Sequence, residues 1–412
     1  MHPPNIIVIV IDTMRKDALD FYIRNNPNNP LSREFTEYTN LIATSPWTIP
    51  SHASIFVGKY LYEHGIHKLI RKGYITNFEA WNTPKFKHKS APQYLRELGY
   101  TTYGMSENIS VSAFTGFDVG FDVFQYFDFP FNLTHREADS SKDKSIEKFV
   151  NYPSEKGSRE VLQILRGTSL RKPFFLFLNL MEMHEPYKNN FSQWDQYREK
   201  LGYGKFSPAK AAKVRESYYQ ETTKVAYFIE NFISLLKSNN EYEDSLIIVT
   251  SDHGQSLWEG GFGGHGTFLY DELLKIPLMI KYPGQYEPYS VNALVSLVDF
   301  LPLILETANG EKPIMQTREI VFSEVYGITH NLDRMLQNFP TPKHNKVMEA
   351  LFQFETHRVA VYRGEFKLLY DVTNESPIEF MYKGKKTSPK DHLKDFLELS
   401  NEVSLFCETR QI

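Results

Sequence analysis

The amino-acid sequence predicts an α/β fold with a mostly parallel central sheet and a small C-terminal α+β subdomain. Three observations carry that prediction. Short, continuous apolar runs recur from Ile6 to Pro283. Stretches with helical spacing lie between them. The tail then changes character and reads as an antiparallel hairpin.

Taken in order, IIVIVID (Ile6 to Asp12) is a β-branched run bounded by Pro4 and Asp12. It shows no polar alternation, which fits a strand covered on both faces, as in parallel sheets. SHASIFVGK predicts a helix opened by Pro50 and Ser51, because proline is tolerated in a first turn. APQYLRELG (Ala91 to Gly99) has helical spacing and a glycine stop. The stretch from Thr134 to Gly157 is polar and reads as a solvated loop or lid. FFLFLNLM (Phe174 to Met181), SLIIVTSD (Ser245 to Asp252) and PLMIKYP (Pro277 to Pro283) repeat the strand pattern. Between the first two, residues 207–236 place Val225, Phe228, Ile229, Phe232 and Leu235 at helical spacing. Strands alternating with helices argue for parallel pairing. HRVAVYRGEFKLLYD (His357 to Asp371) reads as two strands around Arg363-Gly364. The expected division is a catalytic α/β domain over 1–312 and a subdomain over 313–412.

Composition narrows the function. A chain of 412 residues is long enough for a large core. With 46 basic and 50 acidic residues there is no electrostatic case for a nucleic-acid polymer as partner. Cys407 is the single cysteine, so no internal disulfide forms and no oxidising compartment is implied. The run Ile6 to Ile11 is too short for a signal-peptide core and lacks a basic flank. No stretch approaches the roughly 20 apolar residues of a membrane span. The expectation is a cytoplasmic protein, with a processed precursor as the alternative.

In open α/β sheets, ligands bind beyond the carboxyl ends of the strands. Three runs end there in polar groups: Asp12, then Glu182, His184 and Glu185 of MEMHEPY, then Asp252 and His253 of SDHG. His265 follows in GGFGGHG. Singly, each has a plain reading as a turn, cap or hydrogen-bonded loop residue. GFGGHG also matches G-x-G-x-x-G, but it does not directly follow a strand, so dinucleotide binding is not expected. Together, Asp12, Asp252 and His253 form a divalent-metal set whose mixed O/N donors suit zinc or manganese, with magnesium also admitted. His184 and His265 would bind substrate oxygens, protonate a leaving group or hold a second metal. Thr48 stands at the predicted helix start, where free N–H groups favour an anion. Beside a divalent cation its hydroxyl is a nucleophile toward phosphorus or sulfur; alone, it is an N-cap.

These motifs together resemble the sulfatase branch of the alkaline phosphatase superfamily. Its signature, C/S-x-P-S-R-A-S-x-x-T-G-R/K, stands here as Thr48-Ile49-Pro50-Ser51-His52-Ala53-Ser54-Ile55-Phe56-Val57-Gly58-Lys59. The opening strand with Asp12 resembles the first metal-binding strand, GFDVGFD (Gly116 to Asp122) a common mid-domain segment, and MEMHEPY the D-P-H-x-P-Y turn. SDHGQSLWEGGFGGHGTFLYDELLKIPLMIKYPG (Ser251 to Gly284) is the strongest match, and KLLYDVTNESPIEF resembles the late L-Y-D-L segment. The resemblance covers nearly the whole chain and implies the three-layer fold of that superfamily.

The departures from the pattern bear on the chemistry. Sulfatases convert the signature cysteine or serine to formylglycine, and threonine cannot become that aldehyde. His52 replaces the usual arginine, Thr13 replaces the second aspartate of a D-D pair, and His253 stands where many sulfatases have asparagine. A threonine in this setting resembles instead the nucleotide pyrophosphatase/phosphodiesterases, phosphoethanolamine transferases and lipoteichoic acid synthases, which act through phospho-threonine. By that resemblance Thr48 is nucleophile and metal ligand, and Asp12, Asp252 and His253 complete the metal. His184 and His265 bind the transferred group or a second metal, and His52 and Lys59 contact the anion or brace the helix. The implied function is metal-dependent cleavage or transfer of phosphate mono- or diesters. The alternatives are sulfate-ester hydrolysis without formylglycine and non-catalytic anion binding. The implied cofactor is one divalent ion, with room for two; zinc or manganese leads, and magnesium or calcium is admitted. The substrate is expected to be a small-molecule, glycan or lipid-head-group ester, in a pocket shaped by residues 73–89, 132–156 and 330–344.

Overall fold

In the computed structural model of the chain, which describes residues 3–67, 87–127, 157–187, 193–284, 287–328, 349 and 351–408, the first apolar run forms β1 (Asn5–Ile11). Its side chains alternate between two cores. Ile6, Val8 and Val10 join one hydrophobic cluster, while Ile7, Ile9 and Ile11 join the other. A strand buried on both faces is the centre of a three-layer sandwich, and this explains its unbroken apolar composition. Helix α1 (Lys16–Asn25) follows, then β2 (Thr36–Ile42), α2 (Thr48–Val57), α3 (Ala91–Glu97), β3 (Thr101–Ser106), β4 (Val123–Tyr126) and α4 (Gly157–Gly167). The chain continues through β5 (Phe174–Leu180), α5 (Pro208–Ser238), β6 (Ser245–Thr250) and the small hairpin β7 (Ser256–Leu257) and β8 (Gly263–Gly264). It then forms β9 (Lys275–Ile276), β10 (Leu278–Lys281), β11 (Ser290–Ser296) and α6 (Phe300–Ala308).

The nine-stranded sheet has the order β11-β2-β10-β6-β1-β5-β3-β4, with β9 paired to β2. Helices α1, α4 and α5 pack on the face of Ile7 and Ile9, and α2, α3 and α6 on the face of Ile6 and Val8. Pairing is parallel for β6-β1-β5-β3-β4 and for β11-β2. The run Pro277 to Pro283 departs from the parallel pattern: β10 lies antiparallel to both β6 and β2. Its link from β6 contains the β7–β8 hairpin and a four-residue helical turn, Asp271–Leu274, but no crossover helix. Antiparallel neighbours need none.

Helix α2 begins two residues earlier than its proline suggests. Trp47, in extended conformation, is the N-cap, and Pro50 occupies the third helical position, where no N–H is needed. All ten residues of α2 are buried. The helix stops at Gly58, whose φ of 62° is left-handed and whose missing Cβ would lie 3.0 Å from Leu301 Cβ.

The C-terminal part forms a five-stranded antiparallel sheet of β12 (Ile320–Tyr326), β13 (His357–Arg363), β14 (Phe366–Asp371), β15 (Ser376–Tyr382) and β16 (Lys385–Lys386). The expected hairpin is β13–β14, turning at Gly364 with φ 55°. Helix α7 (Leu393–Glu408) covers this sheet through Leu399 and Val403. The other face joins the main body through Val321, Val325 and Tyr362, whose hydroxyl donates to Asp271 (2.9 Å), and along the edge of β12 the Glu324 N–H donates to the Thr44 carbonyl (2.8 Å). Among the described residues no helix is long and apolar enough to cross a membrane. Residues 132–156 and 330–344, and all but the last three of 73–89, lie outside the described residues, as does the lid region 134–156.

Candidate active site

Because β1, β3, β5 and β6 are parallel, their carboxyl ends share one edge of the sheet. That edge receives Asp12 after β1, Glu107 and Asn108 after β3, Glu182 and His184 after β5, and Asp252 and His253 after β6. Strand β2 runs the same way, opposed to β10, and leads through Ser45–Trp47 to Thr48.

One ligand atom each from Asp12, Asp252 and His253 lies within 4.8 Å of the others, and all three residues are fully buried. Each carboxylate is anchored through one oxygen. Asp12 Oδ2 accepts from Asn108 Nδ2 (2.6 Å), and Asp252 Oδ1 accepts from the backbone N–H of Thr13 (3.3 Å) and of His253 (2.9 Å). The other oxygens, Asp12 Oδ1 and Asp252 Oδ2, are buried without a hydrogen bond. His253 donates from Nδ1 to the Gly254 carbonyl (2.8 Å), which puts its lone pair on Nε2, 3.4 Å from Asp252 Oδ2 and 3.9 Å from Asp12 Oδ1.

The electrostatics suit a cation at this point. Burial, then the charge of Asp252, pushes Asp12 up to about 6, and burial pushes Asp252 up to about 7. Burial lowers His253 to about 4, so its ring is neutral. Two carboxylate oxygens without a hydrogen bond, one of them 3.4 Å from His52 Nδ1, and a neutral imidazole nitrogen are a donor set that suits a divalent metal.

Thr48 is the first residue of α2, not its cap. Trp47 takes that place and makes no side-chain capping bond, so the N-cap reading of Thr48 fails. The Thr48 hydroxyl lies 3.3 Å from His253 Nε2. Ser51 Oγ holds the helix start by donating to the Ser45 carbonyl (3.0 Å).

Three imidazoles line up beside it. The His265 ring lies 4.7 Å from His253 and 5.0 Å from His184. His184 Nδ1 donates to the Glu185 carbonyl (2.6 Å). His52 is also close, but as a brace. It is fully buried, its Nδ1 donates to the Thr48 carbonyl (2.9 Å), and burial pushes its pKa down to about 3. The ring is therefore neutral and wedged edge-on between Phe117 and Phe177. Lys59 is not brought to the site. It follows the C-cap of α2, pairs with Glu63 (3.1 Å), and stands about 15 Å along the helix from Thr48. Lys59→Ala should leave kcat and KM within about twofold of wild type in steady-state assays, as surface changes away from a site usually do. Glu182 accepts from the Ser158 N–H (2.8 Å) at the start of α4. With Glu107, which burial and Glu182 push well above the usual carboxylate range, it forms a buried pair under that helix.

Three participants, Asn108, Asn179 and Gln255, carried no signal in the sequence, and a fourth, Thr13, was marked only as a departure from the D-D pair. Asn108 fixes Asp12. Thr13, at φ 59°, fixes Asp252 through its N–H and bonds the Met183 carbonyl through its hydroxyl (2.7 Å). Asn179 reaches His52 Nε2 (3.4 Å), and Gln255 reaches His265 Nδ1 (2.8 Å). Reading TTYGMS as a strand would have placed Asn108 at the same edge; nothing local marks Asn179 or Gln255.

The Sulfatase family model matches residues 4–310 of the chain. The uncharacterized sulfatase YdeN of Escherichia coli (strain K12) is 22% identical over 314 residues, covering 69% of this chain and 53% of that protein. The chain spans between about half and two thirds of the length of the curated relatives it matches. A phosphonate monoester hydrolase from Silicibacter pomeroyi has a similar structure, with TM-score 0.67 at 16% identity, covering 99% of this chain and 96% of that one. A 2-O GAG sulfatase gives TM-score 0.69 at 12% identity, covering 99% and 93%. Identities this low speak to the shared fold alone.

Proposed function

The chain belongs to the sulfatase family, and from that premise we propose that it is a divalent-metal-dependent ester hydrolase or transferase that cleaves phosphate mono- or diesters with Thr48 as nucleophile. One observation carries the reading: the Thr48 hydroxyl sits 3.3 Å from His253 Nε2, beside two buried carboxylate oxygens that lack partners. Asp12, Asp252 and His253 would hold the ion, with Thr48 beside them, and their O,O,N donors favour zinc or manganese. When bound, such an ion lowers the pKa of a nearby hydroxyl and withdraws charge from the transferring group.

The residues then divide the work. Thr48 Oγ1, its proton released to solvent, forms the new bond to phosphorus as the ester oxygen departs in line. His265 or His184, when protonated, delivers a proton to that leaving oxygen. Water or an acceptor alcohol displaces Thr48 in the second step. The ring of His52, bonded to the Thr48 carbonyl, keeps the first turn of α2 in register. Every residue in these roles precedes residue 312, where we place the end of the catalytic domain.

The threonine favours phosphorus over sulfur. A formylglycine hydrate can expel sulfate by collapsing to its aldehyde, whereas a threonine ester has no such exit. Sulfate-ester hydrolysis is the second reading, favoured by similarity to sulfatases such as YdeN of Escherichia coli. The test is a side-by-side assay of p-nitrophenyl phosphate, bis(p-nitrophenyl) phosphate and p-nitrophenyl sulfate with zinc or manganese supplied. The expected result is that kcat/KM for a phosphate ester exceeds that for the sulfate; a clear preference for the sulfate overturns the proposal.

A further inference from the structure

Glu185, Gln255 and His265 form a hydrogen-bonded row beside the site. Gln255 Nε2 lies 2.7 Å from Glu185 Oε2, and Gln255 Oε1 lies 2.8 Å from His265 Nδ1. Gln255 is fully buried, and a second amide, Gln196 Nε2, reaches the other oxygen of Glu185 at 3.4 Å. Both oxygens of Glu185 thus face amide NH2 groups and accept from them. The Gln255 amide must therefore turn its NH2 toward Glu185 and its oxygen toward His265. An amide oxygen also only accepts, so His265 carries its proton on Nδ1 and its lone pair on Nε2.

The three aligned histidines are not held alike. His184 and His253 donate from Nδ1 to backbone carbonyls, those of Glu185 and Gly254, which cannot offer a donor instead. His265 alone among them faces a side-chain amide, and an amide can present either end. We infer that Glu185 is a positioning residue that sets the tautomer of His265 by locking the amide of Gln255. Without that carboxylate the amide turns, its NH2 faces Nδ1, and the imidazole proton moves to Nε2. His265 then presents N–H where it had presented a lone pair. The consequence for turnover rests on the reading of His265 as the proton carrier at the leaving oxygen; the tautomer itself does not.

The test is long-range 1H–15N spectroscopy of the full chain labelled with 15N-histidine, with His265 assigned by its loss in His265→Gln. Wild type should show the Nδ1–H form at His265. Glu185→Leu, which offers no acceptor, should shift it toward Nε2–H, while Glu185→Gln, whose carbonyl still accepts from Gln255, should keep Nδ1–H. Turnover should follow: kcat falls about tenfold or more in Glu185→Leu and recovers to within about threefold in Glu185→Gln, a size typical of groups that orient an active-site histidine. The loss should be larger on alkyl esters than on p-nitrophenyl esters, whose leaving group needs no proton. The double variant Glu185→Leu/Gln255→Glu should restore Nδ1–H, since a carboxylate at 255 accepts without help. It also keeps the test open where the single variant does not fold. Wild-type His265 in the Nε2–H form, or an unchanged tautomer in Glu185→Leu, overturns the inference. A shifted tautomer with unchanged turnover supports the positioning role and removes His265 from the proposed reaction.

Discussion

Thr48→Ala should lower kcat/KM for phosphate esters by about 10^4-fold or more, the scale of losing a covalent nucleophile, while leaving metal uptake and folding in place. The substitution deletes one hydroxyl and one methyl at the first position of α2, and alanine suits a helix at least as well as threonine. The contacts that fix the helix start do not involve the Thr48 side chain: Ser51 bonds the Ser45 carbonyl, and His52 bonds the Thr48 backbone. Asp12, Asp252 and His253 keep their own anchors in Asn108, Thr13 and Gly254. Calorimetric titration should therefore still find a divalent-ion site in the variant. Thr48→Ser keeps the hydroxyl and should retain measurable turnover. Acid-quenching wild type during turnover should give a phosphorylated peptide containing Thr48, and Thr48→Ala should give none. Wild-type rates in Thr48→Ala would remove the nucleophile from the mechanism whatever the substrate.

What the sequence disclosed about this site follows from how each residue is placed. A parallel strand buried on both faces writes itself as an unbroken apolar run, and the polar residue that ends it lies at the ligand edge. Asp12 and Asp252 were legible for that reason, and His253 came with its neighbour. Strand direction was not legible, because an apolar run reads the same either way; β10 therefore broke the parallel pattern. Strands β2 and β3 are only partly buried and carry no such run. The signature helix shows a different limit. Its residues are contiguous in sequence, but a helix advances about 1.5 Å per residue, so Thr48 and Lys59 end up at opposite ends and only Thr48 reaches His253. The supporting amides were invisible for a third reason. Asn108 acts on a residue 96 positions away and Gln255 on one 70 positions away, and no local pattern encodes such a contact.

The orphaned carboxylates make the second large prediction, in the pH dependence of stability. In the folded chain without metal, Asp12 is raised to about 6 and Asp252 to about 7, against roughly 3.9 for an unperturbed aspartate. Between about pH 4 and 7 the folded state thus binds more protons at these sites than the unfolded state. Their contribution is fully present below about pH 4 and is lost as pH rises through 6 and 7. A shift of two units corresponds to ~3 kcal/mol, so the coupled pair should cost the metal-free protein a few kcal/mol at pH 8. His253, lowered to about 4, and His52, lowered to about 3, act in the opposite sense, gaining stability as pH rises toward 6.5. The clean observable is therefore the difference between wild type and Asp252→Asn. In EDTA the variant should be increasingly the more stable of the two as pH goes from 5 to 8, because it removes one buried charge and the repulsion on Asp12. With zinc or manganese the order should reverse above pH 7, since the ion stabilises the ionised pair and the variant has lost a ligand. Thermal unfolding of both proteins at four pH values, with and without metal, measures all of this. If wild type in EDTA gains stability relative to Asp252→Asn as pH rises, the two aspartates are not the strained, cation-seeking pair described here, and the metal assignment falls with them.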